Sequence, residues 1–507
     1  MFAKVSSLGL FGLNAFPVDV EIDISRGNPQ FNIVGLPDVV VKESRDRIRA
    51  ALRACDISFP IANVMVNLAP ADTKKSGSVH DMAIFMALIK AMQIIDSPID
   101  NCSFIGEVSL NGDIRRINGV LPMIMLAKEK GIKAVFVPED NATEAAALDD
   151  IEIYGVKNAK ELIRHFKNEK LIYPVERYIP QPEKESMFLD FSAVKGQQSA
   201  KKALEIAAAG GHNALLIGSP GSGKSMLSKR MPSILPPLTF EEALETTKIH
   251  SISGLLTPEM PIITKRPFRS PHHTISSSGL AGGGVIPHPG EISLAHNGVL
   301  FLDELAEFDR RTLEILRQPL EDKKITIART SGTVTYPCTI MLIGAMNPCP
   351  CGYYGHPNRR CICSEKKVAT YLSKISGPLL DRFDLHIEVA PVEYDDLSVT
   401  NNNEESSETI RKRVVAAREL QIDRFKGTSI TCNALIVPDK LQKFCRMEEA
   451  AEALIKNLFE KLGLSARAYD KILKVARTIA DINGSELILR QHIAAAAQYR
   501  SLDRKYW

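Results

Sequence analysis

A glycine-rich segment, 218–225, constrains the fold of this chain more than any other. It reads Gly-Ser-Pro-Gly-Ser-Gly-Lys-Ser and lies between a short apolar run, 214–217, and a helical pattern that begins at Met226. Glycines in such a turn let backbone N–H groups point inward at phosphates, and the N-terminus of the following helix adds partial positive charge. We expect Lys224 to reach the β and γ phosphates of ATP and Ser225 to hold Mg²⁺. The alternative is a merely structural glycine turn, which the flanking strand and helix disfavour. The predicted nucleotide-binding residues are Gly218, Ser219, Pro220, Gly221, Ser222, Gly223, Lys224 and Ser225.

Two acidic residues, Asp303 and Glu304, directly follow the apolar run 299–302. An uninterrupted apolar run of this length is typical of a strand buried on both faces. A carboxylate at the tip of a parallel strand next to a P-loop can orient the water shell of Mg²⁺, and a second one beside it can activate the attacking water. We therefore predict that Asp303 binds the metal and the nucleotide, and that Glu304 is the catalytic base. Without the P-loop upstream, a surface turn would explain the two acids equally well.

A third buried-strand pattern, 339–346, ends at Asn347. A side-chain amide at that strand tip can hydrogen-bond the γ-phosphate or the attacking water, so we predict a catalytic role for Asn347. The alternative is a capping asparagine before Pro348.

These motifs together resemble a known family. The segment 218–225, the Asp303-Glu304 pair, Asn347 and the segment 377–384 (Gly-Pro-Leu-Leu-Asp-Arg-Phe-Asp) resemble the Walker A, Walker B, sensor-1 and arginine-finger elements of AAA+ ATPases, in the magnesium-chelatase/MCM branch. Three further segments narrow the resemblance to the ComM (YifB-type magnesium-chelatase-like) family over essentially the whole chain. They are 210–213, 266–274 and 289–298.

The resemblance implies an assembly and an activity. Arg382 would be the arginine finger, inserted into the ATP site of the next subunit, so a homo-oligomeric ring, most simply a hexamer, would follow. The alternative pairs Arg382 with Asp381 or Asp384 inside its own subunit. Arg467, at the start of a helical pattern, matches the sensor-2 position and would touch the γ-phosphate from a lid. An exposed arginine at a helix start is the alternative there.

The activity that the resemblance implies is ATP-powered branch migration or helicase action on single-stranded or branched DNA, during recombination in natural transformation. Composition does not show this. A net charge of +3 does not by itself indicate a nucleic-acid-binding protein, because affinity for phosphate backbones comes from local basic patches. The main rival is a chelatase-like or protein-remodelling AAA+ motor without a DNA substrate. A protease and a non-hydrolysing regulatory ring are weaker rivals.

Two segments are candidates for the channel of a ring. The runs 323–329 and 333–336 flank Thr330-Ser-Gly332 and predict a β-hairpin. In MCM-like ATPases a hairpin at this place projects into the channel, where Lys323, Lys324 and Arg329 would contact a phosphate backbone. The alternative is that these basic residues are exposed to solvent and contact no nucleic acid. The glycine-rich segment 279–290 resembles the family's helix-2 insert.

Four cysteines form two Cys-x-Cys pairs separated by nine residues. Four thiolates can close a tetrahedral Zn²⁺ site, but zinc ribbons usually space each pair by two residues, so free reduced thiols remain the alternative. The tentative zinc ligands are Cys349, Cys351, Cys361 and Cys363. The spacing of four nearby histidines fits no usual metal site, and we expect these to be loop or interface residues: His272, His273, His288 and His296.

The N-terminal part resembles the Lon-protease-like fold but has lost the chemistry of a protease. Where active Lon-type sites hold a serine and a lysine, this chain has Val79 and, by our alignment, Leu121, so peptide hydrolysis has neither nucleophile nor base. Ser78 is adjacent but offset. We therefore expect a pseudo-protease domain.

The 507 residues suggest about three domains, since typical domains have roughly 100 to 200 residues. The expected fold class is α/β: a Lon-protease-like α/β domain, an AAA+ P-loop core with a parallel sheet, and a C-terminal α-helical lid of the magnesium-chelatase type. The expected boundaries are 1–167 for the first domain, 168–189 for a linker, 190–397 for the core with its insert, hairpin and cysteine loop, 398–408 for a flexible joint, and 409–507 for the lid. The apolar run 82–89 is too short to span a membrane. With nine cysteines and no export signal, we expect a cytoplasmic protein with reduced thiols and no membrane contact.

Overall fold

The computed structural model describes residues 1–179, 189–285, 287–330, 332–391 and 404–500, and contacts within it divide the chain into two units. The first unit comprises Met1–Pro182, Phe240–Thr264 and Ala328–Tyr336. The second comprises Glu183–Thr239, Lys265–Ile327 and Pro337–Trp507. Two stretches of the ATPase-like sequence thus belong to the N-terminal unit.

The first unit is built on a seven-stranded mixed sheet in the order β3-β4-β2-β1-β5-β8-β9. Buried and exposed residues alternate along β2 and β4, as expected for antiparallel strands with one face on a core. The strands are β1 (Phe2–Phe11), β2 (Asn14–Ser25), β3 (Gln30–Val34), β4 (Asn63–Ala69), β5 (Cys102–Phe104), β8 (Ala134–Pro138) and β9 (Glu152–Val156), with a separate pair, β6 (Glu107–Val108) and β7 (Ile114–Arg115).

Five helices pack on this sheet, and α2 explains the longest apolar run because every residue but Lys90 is buried. They are α1 (Val39–Ala54), α2 (Asp81–Ala91), α3 (Val120–Glu129), α4 (Glu139–Ala145) and α5 (Ala159–Phe166). Helix α1 begins with a side-chain cap, since the Asp38 carboxylate accepts the Val41 N–H at 2.8 Å. Across the described residues, no helix combines the length and the apolar character that a membrane crossing requires.

The segment 240–264 joins the first unit through α9 (Phe240–Ile252), which packs beside α3. Within that unit the Gly119 N–H donates to the Ser251 carbonyl at 3.1 Å, and Arg116 donates to the Leu256 carbonyl at 2.6 Å. These contacts tie an insertion of the ATPase-like sequence to the pseudo-protease sheet.

The segment 328–336 is the outer part of a hairpin formed by β15 (Lys324–Arg329) and β16 (Gly332–Pro337), so the predicted hairpin is confirmed. Gly332 and Val334 of this hairpin pack against the β1–β2 turn. A Cβ added to Gly12 would lie 2.3 Å from the Val334 side chain, and one added to Gly332 would lie 2.5 Å from the Phe11 ring. The outer part of this hairpin is therefore a packed element of the first unit.

The second unit has a five-stranded sheet that is parallel throughout, in the order β11-β14-β17-β10-β18. It is the P-loop sheet expected from the apolar runs, and four of its strands are almost wholly buried. The strands are β10 (Ala214–Gly218), β11 (Phe268–Arg269), β14 (Val299–Leu302), β17 (Met341–Met346) and β18 (Leu385–Val389), with a small ribbon of β12 (Gly282–Gly283) and β13 (His288–Pro289).

Three helices beside the sheet share one apolar core with the sheet and the C-terminal helices: α6 (Gln198–Gly210), α7 (Lys224–Ser228) and α8 (Met231–Ile234). Six further helices belong to the same unit: α10 (Ser277–Ala281), α11 (Glu291–Leu294), α12 (Arg310–Glu314), α13 (Arg317–Asp322), α14 (Glu365–Leu372) and α15 (Gly377–Leu380). The C-terminal group is α16 (Ser407–Arg424), α17 (Leu441–Phe444), α18 (Glu449–Leu462), α19 (Ala466–Ile482) and α20 (Arg490–Gln498).

Short 3₁₀ turns complete the unit at Phe191–Ala193, Leu305–Glu307, Asn433–Leu435 and Pro438–Lys440. One polar contact between the C-terminal helices and the sheet region joins the His212 ring to the Thr478 hydroxyl at 2.8 Å. The lid helices therefore form one compact unit with the P-loop sheet.

Of the flexible joint expected over 398–408, residues 398–403 lie outside the described residues. Glu404 forms an ion pair with the buried Lys201 and accepts the Gly196 N–H at 2.9 Å, and α16 already begins at Ser407. In the expected linker, residues 180–188 are not described, but the Val175 N–H donates to the Ile153 carbonyl at 2.7 Å.

A buried ion pair anchors α2 to α1 in the first unit and supports a stability prediction. Arg47 Nε lies 2.6 Å from Asp81 Oδ2, and the Asp81 side chain is 0% exposed. We expect Asp81→Ala to lower the free energy of unfolding of this unit by about 3–5 kcal/mol, because Arg47 keeps a half-buried charge without a partner. Asp56→Ala, which removes an exposed pair with Lys160, should cost less than about 1 kcal/mol. Urea unfolding followed by circular dichroism measures both, and equal losses would contradict the assignment.

Candidate active site

The loop after β10 has the backbone geometry of a phosphate-binding turn. Gly221 and Gly223 have φ values of 78° and 93°, in the left-handed region that favours glycine. Gly218 at the strand end has no room for a side chain, because an added Cβ would lie 2.4 Å from the Val389 carbonyl oxygen. Helix α7 then starts at Lys224. The predicted P-loop residues thus form one tight strand-turn-helix connection.

The Lys224 side chain folds back over this loop. Its ammonium donates to the Gly218 carbonyl at 2.7 Å, to the Ser219 carbonyl at 2.9 Å and to Asn347 Oδ1 at 3.1 Å. Burial lowers the pKa of Lys224 to about 8, although Asp303 opposes the shift. A buried ammonium whose hydrogen-bond partners are all neutral oxygens can stabilise an anionic ligand, and phosphate suits it.

Ser225 and Asp303 lie in contact, as predicted. The Ser225 hydroxyl donates to Asp303 Oδ2 at 2.5 Å. Strand β17 lies between β10 and β14, so the three strand ends bring this pair and Asn347 to one edge of the sheet. Hydroxyl and carboxylate oxygens are hard donors of the kind that Mg²⁺ prefers, so these two residues can hold Mg²⁺.

Glu304 has a constrained backbone and an exposed carboxylate. Its φ is 51°, in the left-handed region, and its N–H donates to Asp303 Oδ1 at 2.9 Å. A non-glycine residue in this region costs about 1–3 kcal/mol and is enriched at functional sites. The His273 ring lies 3.3 Å from Glu304 Oε2. Sequence reasoning did not pair His273 with this carboxylate, because the two residues come into contact only in the folded chain.

The two predicted arginines lie together and away from the P-loop of their own chain. Arg382 Nη2 lies 2.6 Å from Glu321 Oε1, and Arg467 Nη2 lies 3.8 Å from the same oxygen. Arg382 also donates to the Pro378 carbonyl at 2.8 Å. In the part of the chain that the structure describes, neither guanidinium contacts Lys224. Glu321 is a residue that sequence reasoning missed, since it lies on α13 with no motif around it.

The alternative partners that the sequence offered for Arg382 do not pair with it. Asp384 instead accepts the Asn213 N–H at 3.0 Å and lies 3.3 Å from Lys471. The positive charge of Lys471 and the neighbouring His212 side chain hold the pKa of Asp384 far below its usual range, against the effect of burial. Asp384 is therefore a negatively charged residue with a structural role, next to the first residues of β10 and β18.

The four predicted cysteines converge in the loop between β17 and α14. All four Sγ atoms lie within 4.8 Å of one another. Cys349 Sγ is 3.4 Å from Cys351 Sγ and 3.7 Å from Cys361 Sγ, and the last two are 3.5 Å apart. A tetrahedral site with Zn–S bonds of about 2.3 Å would separate its sulfurs by about 3.8 Å. All nine cysteines are free thiols, and the donor set fits zinc despite the tight Cys-x-Cys spacing.

The basic residues of the hairpin differ in accessibility. Lys324 and Arg329 are exposed, whereas burial lowers the pKa of Lys323. Lys323 is therefore less accessible to a phosphate backbone than Lys324 or Arg329. In the glycine-rich insert, β12 and β13 pair, and Val285 at the tip is 87% exposed.

The side chains near the positions that the resemblance assigns to a protease site make contacts within the first unit. The Lys75 side chain is fully buried and donates to the Pro70 carbonyl, and the Ser78 hydroxyl donates to the Glu107 carboxylate. Leu121 lies buried in α3.

Comparisons with known proteins match this chain over most of its length. Family models described as magnesium chelatase subunit ChlI match residues 190–397 and 20–141, and a model of the ChlI C-terminal region matches 404–500.

Full-length relatives agree with these models. The chain is 42% identical to YifB of Escherichia coli (strain K12) over 505 residues, covering 99% of this chain and 97% of YifB. It is 39% identical over 509 residues to the competence protein ComM of Haemophilus influenzae, covering 99% and 98%. A partial similarity reaches Lon protease 2 of Bacillus subtilis (strain 168), 27% over 181 residues and 32% of that protein.

The lowered pKa of Lys224 predicts how the affinity for a phosphate ligand depends on pH. The ligand needs the protonated ammonium, and the free site loses that proton as pH rises through about 8. We therefore expect ADP affinity without Mg²⁺ to fall by up to about tenfold per pH unit above that value, with proton uptake on binding. Titration with a fluorescent ADP analogue measures the affinity, and calorimetry in two buffers measures the proton uptake. Lys224→Arg, which keeps its charge, should flatten the profile. Wild-type affinity that stays constant to about pH 10 would contradict the prediction.

Proposed function

Because this chain belongs to the magnesium chelatase ChlI-like family of AAA+ ATPases that also contains YifB and ComM, we propose that it is an ATP-hydrolysing ring motor that acts on DNA. The ATPase part rests on one observation: Lys224, Asn347, Ser225 and Asp303 meet at the ends of three adjacent parallel strands. A triphosphate with Mg²⁺ has the charge and the oxygen chemistry that suit this group.

Each residue of the group has a separate proposed role. Lys224 binds the β and γ phosphates, and the loop 218–223 surrounds them with backbone N–H groups. Ser225 and Asp303 hold Mg²⁺, which neutralises charge on the phosphates when bound. Asn347, oriented by its 3.1 Å contact with Lys224, hydrogen-bonds the γ-phosphate or the attacking water.

Glu304 is proposed as the general base. Its exposed carboxylate stands next to Asp303 and can take the proton from the attacking water. The His273 ring at 3.3 Å can orient this carboxylate before the nucleotide binds.

We propose that Arg382 and Arg467 act on the ATP of the next subunit in a homo-oligomeric ring, a hexamer in the simplest case. Both guanidinium groups converge on Glu321 rather than on the P-loop of their own chain, which supports a role across a subunit boundary. In this scheme Glu321 holds the arginine finger until a γ-phosphate replaces the carboxylate. A guanidinium then offsets the charge that develops on the transferred phosphoryl group.

DNA as the substrate rests on the family. The relative ComM is named a competence protein, and the resemblance implies branch migration or helicase action in recombination. The exposed Lys324 and Arg329 are candidates for phosphate contacts, and Val285 at the tip of the insert is equally accessible. The outer part of the hairpin also packs within the first unit, so the hairpin has a structural role there as well. A chelatase-like or protein-remodelling motor is the alternative.

We also propose that the four clustered thiolates hold a structural Zn²⁺, which would pin the loop 349–363. A cytoplasmic location stays a prediction from the sequence.

Replacement of the proposed base should separate binding from hydrolysis. We expect Glu304→Gln to lower the ATP turnover number by about 10²–10⁴-fold and to leave nucleotide affinity within a few fold, because the amide keeps the shape but takes no proton. Steady-state turnover and fluorescent-nucleotide binding measure the two effects. Glu307→Gln, an exposed acid on the same turn, is the matched control. Turnover by Glu304→Gln at the wild-type rate would exclude this role.

DNA stimulation tests the substrate. We expect a four-way junction or single-stranded DNA to raise the rate of ATP turnover, and the stimulation to weaken steeply between about 50 mM and 200 mM salt. Lys324→Ala/Arg329→Ala should reduce the slope of log affinity against log salt by about 2, because each residue is proposed to neutralise one phosphate.

The matched control is Lys412→Ala/Lys426→Ala, which removes two cations that are each 75% exposed, one on α16 and one just beyond its C-terminus. Its salt slope should equal that of the wild type. ATP turnover that no single-stranded, duplex or branched DNA changes would instead support the remodelling alternative.

A further inference from the structure

The loop 349–363, called here the cysteine knuckle, lies directly against the proposed nucleotide site. Cys349 is fully buried and follows Asn347 by two residues, so the knuckle begins where the sensor strand ends. At its other end, Ser364 caps α14 by accepting the Lys367 N–H. The knuckle therefore connects the strand tip that carries Asn347 to a helix through four convergent thiols.

The knuckle also touches the P-loop. A Cβ added to Gly352 would lie 2.3 Å from Pro220 Cδ and 2.6 Å from Pro220 Cγ, which shows how closely the two loops pack. Gly352 has a φ of 85°, so only glycine fits there without strain. Pro220 lies between Ser219, whose carbonyl accepts from Lys224, and Gly221, whose left-handed φ shapes the turn.

A third contact comes from α14. Tyr371 on α14 is buried, and its side chain lies beside the Asn347 backbone N–H. Asn347 is thus supported by Tyr371 from the far end of the knuckle and by Cys349 from its beginning, while Lys224 holds its side chain. A loop of this length with no regular strand or helix keeps such contacts only if something fixes its shape, because free loops lose considerable entropy when ordered.

We propose that zinc bound by the cysteine knuckle positions the P-loop and Asn347 for ATP, so that the metal controls nucleotide affinity without touching the nucleotide. The inference rests on the proposed zinc and nucleotide sites. The four thiolates close the loop 349–363, Gly352 then presses on Pro220, and Cys349 fixes the strand end at Asn347. Without the metal the cysteine knuckle loosens. Pro220 then loses its contact with Gly352 and Asn347 loses its support from Cys349, while the two units stay folded.

Two variants test the two links separately. Cys361→Ser/Cys363→Ser removes the two ligands that lie farther along the chain from Asn347, and Gly352→Ala keeps all four thiols but adds a methyl group against Pro220. The matched control is Cys55→Ser/Cys102→Ser, two half-buried thiols in the first unit. The measurements are zinc per chain by mass spectrometry of the metal, the Kd of a fluorescent ATP analogue, and the thermal midpoint of the full-length protein.

We expect about one zinc per wild-type chain and per control chain. The cysteine variant should lose the zinc and bind nucleotide at least about tenfold more weakly, since a displacement of about 1 Å in a positioned site has effects of this size or larger. Gly352→Ala should keep the zinc and also bind more weakly.

Wild-type protein without zinc, or a zinc-free cysteine variant with unchanged nucleotide affinity, would overturn the inference. So would Gly352→Ala with wild-type affinity, which keeps the test decisive if the cysteine variant does not fold. Failure of the proposed ATP site itself would look different, because the wild type with full zinc would then bind no nucleotide.

Discussion

The hydrogen bond between the Lys224 ammonium and the Asn347 amide oxygen is the contact on which the rest of the site depends. It exists because β17 lies between β10 and β14, so that the ends of three parallel strands meet at one edge. Ligands of open parallel sheets bind at the carboxyl ends of the strands, and here that edge carries an ammonium, an amide and a hydroxyl-carboxylate pair. The separation of these groups along the chain has no bearing on the chemistry once the sheet forms.

The sequence was a reliable guide wherever the signal was local. Uninterrupted apolar runs predicted β10, β14 and β17, and polar residues at their ends predicted Lys224, Asp303 and Asn347 as neighbours. The hairpin follows from turn chemistry and is confirmed. The family itself was also recognisable from motifs spread over the chain.

Contacts between distant segments were not predictable, because no periodicity records them. Glu321 meets both arginines, His273 meets Glu304, and Gly352 meets Pro220 only through the folded path of the chain. The same holds for 240–264 and 328–336, which read as parts of the ATPase sequence but pack within the first unit. These two segments belong to the first unit, although residues of the second unit flank them in the sequence.

The central claim is that one protomer binds a magnesium triphosphate through Lys224. The most direct measurement compares nucleotide binding and ATP turnover of Lys224→Ala with those of Lys229→Ala, which removes an exposed lysine just beyond the same helix. The account predicts that Lys224→Ala loses nearly all binding and turnover, because among the described residues Lys224 is the cation that reaches the Gly218 and Ser219 carbonyls, whereas Lys229→Ala behaves as the wild type. Turnover by Lys224→Ala at the native rate would contradict it.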